Sequence, residues 1–119
     1  PQGAEALATF LADVGLAGRV HLVFGSMADK DVERMAAILF PSAARVTLVA
    51  AASPRSASPE ELRRRTASTR PDAEVAGSVE EALSALRTRA DPAPIIVAGS
   101  LYLVGEARSR ILSQRTEGA

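Results

Sequence analysis

The sequence predicts an α/β domain, a Rossmann-like three-layer sandwich around a mostly parallel sheet of about four strands. Three observations predict it. Short apolar segments recur near residues 20, 45, 73 and 94, and a segment with helical signals follows each. Parallel strands need such crossovers. The chain is 119 residues long, the size of one domain with a self-sufficient core. Neither a linker nor an internal repeat divides it.

The elements follow in order. Leu7, Phe10, Leu11 and Val14 recur at helical spacing and predict a first helix with those four on one face, stopped by Gly15 and Gly18. Val20 to Phe24 is apolar and β-branched, the pattern of a buried strand. Gly25 to Lys30 reads as a loop. From Asp31, the stripe Val32, Met35, Ile38 and Leu39 predicts a second helix, with Pro41 just past its end. Arg45 to Ala50 reads as a second buried strand, followed by a loop centred on Ser53-Pro54-Arg55. Ser58 can cap a third helix, Pro59 suits its first position and Glu61 completes a capping box. Asp72 to Ala76 makes a weak third strand. Ser78 and Glu81 repeat the box before a helix carrying Leu83 and Leu86. Pro94 to Ala98 is a fourth strand, and Gly99-Ser100 leads into a last helix through Tyr102, Val104, Ala107 and Ile111. Residues from Gln114 onward read as a frayed tail. A Rossmann-like order places the strands 3-2-1-4, so ligands bind outside the carboxyl ends of the first and fourth strands, where the connections part to opposite faces.

Composition narrows the function. The formal net charge is zero, which argues against a nucleic-acid partner, and no apolar run is long enough for a membrane span. Without a signal-peptide pattern the expected setting is cytoplasmic. Zero cysteines exclude thiol catalysis and Cys-ligated zinc, and a single histidine, His21, excludes a multi-histidine metal site. His21 lies inside an apolar strand and reads as structural. Neither a P-loop nor a Gly-x-Gly-x-x-Gly fingerprint occurs, and no nucleophile–base pair is complete.

The candidate site residues lie at the strand ends. Asp29, Lys30 and Asp31 stand at a helix start. The aspartates are explained by the helix dipole alone, but Lys30 is not. It is the sole lysine beside thirteen arginines, and a compact ammonium differs from a guanidinium at a tight site. Gly99-Ser100 opens a helix after a buried strand, where free N–H groups and a hydroxyl suit an anion, although serine also caps helices. Arg55 is a candidate anion contact. The Arg63-Arg64-Arg65 run reads as a solvated helix face with i,i+4 pairing.

These segments resemble the C-terminal domain of the folylpolyglutamate synthase / dihydrofolate synthase family, within the Mur ligase superfamily. The resemblance rests on Pro1-Gln2-Gly3-Ala4, Phe24-Gly25-Ser26-Met27-Ala28-Asp29-Lys30-Asp31, Pro54-Arg55-Ser56, Ser78-Val79-Glu80-Glu81-Ala82 and Gly99-Ser100-Leu101-Tyr102-Leu103-Val104-Gly105-Glu106. It implies an ATP- and magnesium-dependent ligase that converts a folate-type carboxylate into an acyl phosphate, which the amino group of glutamate attacks. It places Ser100 near the incoming glutamate. It places Asp29, Lys30 and Asp31 on a loop facing the interdomain cleft or the nucleotide side. Residues 1–119 then form a glutamate ligase domain truncated at its N-terminus, because the family's Asp-Gly-Ala-His-Asn run would directly precede Pro1. The N-terminal ATPase domain of the same polypeptide is the implied partner, and the isolated chain is expected to bind no cofactor and to be inactive. Two alternatives stand beside this reading: another Mur-type amino-acid ligase, or a non-catalytic Rossmann-like binding module.

Overall fold

The computed structural model describes residues 2–51, 53–89 and 93–99. Helix α1 (Gln2–Asp13) leads into β1 (Val20–Gly25), then α2 (Val32–Leu39) and a 3-10 turn (Phe40–Ser42). Next come β2 (Ala43–Leu48), α3 (Pro59–Thr66), β3 (Glu74–Val75), α4 (Val79–Arg87) and β4 (Ile95–Gly99). The sheet order is β3-β2-β1-β4 and every pairing is parallel, as the strand–helix repeat predicts. The expected last helix and the tail lie outside the described residues, as do Ser100 and Tyr102.

Side-chain alternation along β1 builds the layers. Leu22 and Phe24 join a core cluster with Leu11, Val32, Leu39, Phe40 and Leu62, so α1, α2 and α3 cover that face. Val23 points to the other face and packs with Val49, Val79, Leu83 and Leu86, the inner side of α4. All six residues of β1 are buried, as expected for an inner strand with helices on both faces. Phe24 and Phe40 meet edge to face, centroids 5.2 Å apart.

The caps follow the sequence signals. Ser58 accepts a hydrogen bond from the Glu61 amide at 3.1 Å, and Ser78 accepts one from the Glu81 amide at 3.1 Å. In the second box the Glu81 carboxylate reaches back to the Gly77 amide at 2.8 Å. Gly15 and Gly18 take φ of 77° and 76°, the left-handed region in which glycine ends a helix without strain.

Two expectations are corrected. The inward stripe of α1 is Ala4, Leu7, Ala8 and Leu11, whereas Phe10 and Val14 are 56% and 49% exposed. Small alanines on the inner side let α1 pack against α2, and this turns Phe10 outward. Strand β2 begins at Ala43 rather than Arg45 and ends at Leu48, because its pairing with β1 starts at Val20↔Ala43, before a register shift. His21 is structural as expected: it is buried, and its Nε2 shares a 2.9 Å hydrogen bond with Thr47 Oγ1.

Candidate functional site

The sheet brings the predicted loops to one end. Gly25 and Gly99 are register partners in neighbouring β1 and β4, so both chains leave the sheet at the same height. The connection after β1 enters α2 on one face, and α4 enters β4 from the other. In open α/β sheets ligands bind where connections diverge in this way, outside the carboxyl ends of the strands. Gly99 has φ of 138°, a conformation that L side chains rarely adopt, so the turn there depends on glycine. Ser100, expected beside the glutamate, lies outside the described residues.

A second loop joins the first. Met27 and Ser56 form an antiparallel bridge. The Ala28 amide donates to the Arg55 carbonyl at 2.9 Å, and the Ala57 amide donates to the Ser26 carbonyl at 3.0 Å. The 53–57 loop thus lies along the 25–31 loop and brings Arg55 beside the Asp29-Lys30-Asp31 segment. Ser56 Oγ braces this loop, accepting from the Ala51 amide at 2.8 Å and donating to the Ala57 carbonyl at 2.9 Å.

Asp29, Lys30, Asp31 and Arg55 all have exposed side chains. Asp31 is the N-cap of α2 and accepts from the Arg34 amide at 3.4 Å, so its structural role is real. Lys30 and Arg55 offer two cations on adjoining loops at the strand ends. Such an arrangement can neutralise phosphate or carboxylate charge.

The Arg63-Arg64-Arg65 run is only partly the solvated face expected from its spacing. Arg63 and Arg64 are exposed, but Arg65 folds back over the site loop. Its Nη1 donates to the Ala28 carbonyl at 2.9 Å and its Nη2 to the Lys30 carbonyl at 3.0 Å. Nε and Nη2 also form a fork on Glu33 at 2.8 and 3.1 Å. The hydrogen bonds from Arg65 hold the Glu33 carboxyl below its ordinary value, and that carboxylate in turn raises the guanidinium. Sequence periodicity could not find this residue, because its partners are 32 to 37 positions away. The local signal was the Glu61–Arg65 pair, which exists at a looser 3.8 Å.

This parallel 3-2-1-4 sheet, with glycine turns meeting at a topological switch point, defines an open α/β domain of the doubly wound class. Residues 1–101 match the family described as Mur ligase, glutamate ligase domain, and the chain belongs to that family. Its relatives include folylpolyglutamate synthases. A probable bifunctional folylpolyglutamate synthase/dihydropteroate synthase of Haloferax volcanii is 41% identical over 92 residues, 76% of this chain and 11% of that protein. The structure of Mycobacterium tuberculosis folylpolyglutamate synthase complexed with ADP superposes with a TM-score of 0.78 at 27% identity. That match covers 92% of this chain and 27% of the other. A Yersinia pestis bifunctional folylpolyglutamate synthase/dihydrofolate synthase, complexed with AMPPNP and a manganese ion, matches with a TM-score of 0.74 at 25% identity. It is covered over 26% of its length, and 93% of this chain is matched. The chain therefore spans about a tenth of the curated relative and about a quarter of the solved ones.

Proposed function

We propose that residues 1–119 form a glutamate ligase domain of an ATP-dependent enzyme that adds glutamate to folate or dihydropteroate. The observation that carries this reading is the family match over residues 1–101, joined to two cation-bearing loops at the switch point where a ligand would sit. The domain works in the cytoplasm against an N-terminal ATPase domain of the same polypeptide, and glutamate and a folate-type acid are its substrates.

The residues fit a nucleotide in part. Lys30 and Arg55 carry exposed cations on loops tied together by the Ala28–Arg55 hydrogen bond, and they would face its phosphates. Among the described residues no three His, Cys, Asp or Glu side chains gather to hold a metal ion. ATP, when bound, would supply the γ-phosphoryl group to the carboxylate oxygen, with ADP as the leaving group, turning an inert carboxylate into an acyl phosphate. The glutamate amine then attacks the acyl carbon, the new C–N bond forms, the amine loses a proton, and inorganic phosphate leaves. Ser100 contacts the incoming glutamate, and the Asp29-Lys30-Asp31 loop faces the nucleotide side of the cleft. The contribution of such groups is positioning and charge neutralisation rather than covalent chemistry.

The test uses the full-length polypeptide with ATP, magnesium, glutamate and either folate or dihydropteroate, with products read by mass spectrometry. Glutamylated product in the full-length enzyme, and none with the isolated chain, supports the reading. A product formed only from a cell-wall precursor would move it to another Mur-type ligase. Ser100→Ala is expected to raise the KM for glutamate; an unchanged KM and turnover removes Ser100 from the site.

A further inference from the structure

The Asp29-Lys30-Asp31 loop presents its side chains to solvent while its backbone is held tightly. The Lys30 amide closes a turn on the Met27 carbonyl at 3.2 Å, and the Val32 amide donates to the Lys30 carbonyl at 2.8 Å. Arg65 supplies the long-range restraint by binding the Ala28 and Lys30 carbonyls together. The guanidinium side chain is 21% exposed, and Glu33, at 54%, grips its other edge. An exposed ion pair contributes little through charge alone. Its effect here is directional: a planar fork fixed on one carboxylate aims its remaining N–H groups at two set points. A lysine ammonium has no such fork to pin the two carbonyls while it is fixed on Glu33.

We propose that Arg65 is a positioning residue for the ligation reaction, setting the Asp29-Lys30-Asp31 loop through the carbonyls of Ala28 and Lys30 with its fork anchored on Glu33. The inference rests on the reading that this loop faces the interdomain cleft of a glutamate ligase. Arg65 touches no substrate in this account. It fixes the height and direction of the backbone from which the Lys30 side chain departs, so the loop itself need not be ordered when an anion arrives. Removing that order displaces a group that must meet phosphate charge as it develops.

The test compares Arg65→Lys, Arg65→Met and Glu33→Gln in the full-length polypeptide. Loss of the two carbonyl anchors is expected to lower kcat about 10- to 100-fold, the scale of a small misplacement at a reacting centre. Arg65→Lys keeps the charge and should not rescue it. Glu33→Gln loosens the anchor of the fork but leaves the Ala28 and Lys30 carbonyls as acceptors, and should lose only about 2- to 3-fold, since the ion pair it weakens is exposed. Hydrogen–deuterium exchange of the peptide spanning 26–34 should quicken in both Arg65 variants, while exchange in β1 stays unchanged. Wild-type kcat in Arg65→Met, or full rescue by Arg65→Lys, overturns the proposal. So does faster exchange with unaltered kcat, which would make Arg65 merely structural. If one Arg65 variant fails to fold, the other still decides, and a loss in Glu33→Gln as large as that in the remaining Arg65 variant also overturns the proposal. A wild-type enzyme that makes no glutamylated product overturns the function reading instead, and the exchange measurement then shows by itself whether Arg65 holds the loop.

Discussion

Gly25 and Gly99 stand as register partners at the carboxyl ends of β1 and β4. Gly99 alone of the pair has a positive φ, 138°. A side chain at Gly99 forces the turn out of that conformation. Gly99→Ala is expected to destabilise the domain by about 1–3 kcal/mol, the usual cost of a strained backbone position. Urea denaturation checks this through a lowered midpoint at constant slope. An unchanged midpoint would show that the turn tolerates a Cβ.

The two serine caps make an independent pair. Ser58→Ala and Ser78→Ala each remove an acceptor from a helix N-terminus. Each should cost about 1 kcal/mol. The caps belong to different helices with no shared partner, so the double variant should show close to the sum. Thermal or urea unfolding of the three variants measures it, and a large departure from additivity would mean that the helices are coupled.

Arg70 closes the end of α2 and the turn after it. Its Nη2 donates to the carbonyls of Phe40 and Ala43 at 2.8 and 2.7 Å, and Nη1 reaches Ala44 at 3.3 Å. Arg70→Met leaves these carbonyls without their charged donor and should cost about 1–3 kcal/mol. Arg70→Lys should recover less than half, because one ammonium does not reproduce the fork. Equal stability of the two variants would contradict the geometry.

His21 and Thr47 share a buried hydrogen bond inside the sheet. Thr47→Val keeps the volume but leaves His21 Nε2 without this partner in a buried place. The expected loss is about 1–3 kcal/mol by urea denaturation. A neutral effect would mean that the hydroxyl contributes nothing to the packing of β1 on β2.

Acid should loosen the far side of the sheet. Glu74 accepts from Arg89 at 2.6 and 3.2 Å and from Arg45 at 2.7 Å. The hydrogen bonds from Arg89 are the main cause of its lowered carboxyl value, and burial opposes them. A depressed carboxylate stabilises fully above its ordinary value of 4.5, and the contribution is lost as pH falls through the lowered folded value. Glu74→Gln should therefore flatten the dependence of stability on pH below 4.5 while leaving its shape near neutrality unchanged. An acid limb of unaltered slope would assign that dependence to other carboxylates.

Local signals carried much of this fold. Ser58-Pro59 and Ser78 announced two helices, β-branched runs announced β1 and β4, and the alternation of strands and helices implied the 3-2-1-4 order. What escaped was set by contacts distant in sequence. The spacing of Phe10 and Val14 is genuinely helical, but spacing cannot say which of two apolar flanks meets α2. Arg55 and the Asp29-Lys30-Asp31 loop could each be picked out as polar segments at strand ends. Their joining depends on the Met27–Ser56 bridge, which no local pattern encodes. Arg65 looked like its solvated neighbours because a residue's role as an anchor lies in the carbonyls it reaches.

Strand β1, buried over its whole length, also acts as a ruler. It carries the site loop at its end, and its side chains are sorted between two cores. Deleting one residue within it would draw that loop back by about 3.3 Å and exchange the side chains facing the two layers of helices. Insertions and deletions should thus be borne in the turns that join the elements at the opposite end of the sheet, whereas the count from Val20 to Gly25 is fixed by the distance the loop must stand above the crevice.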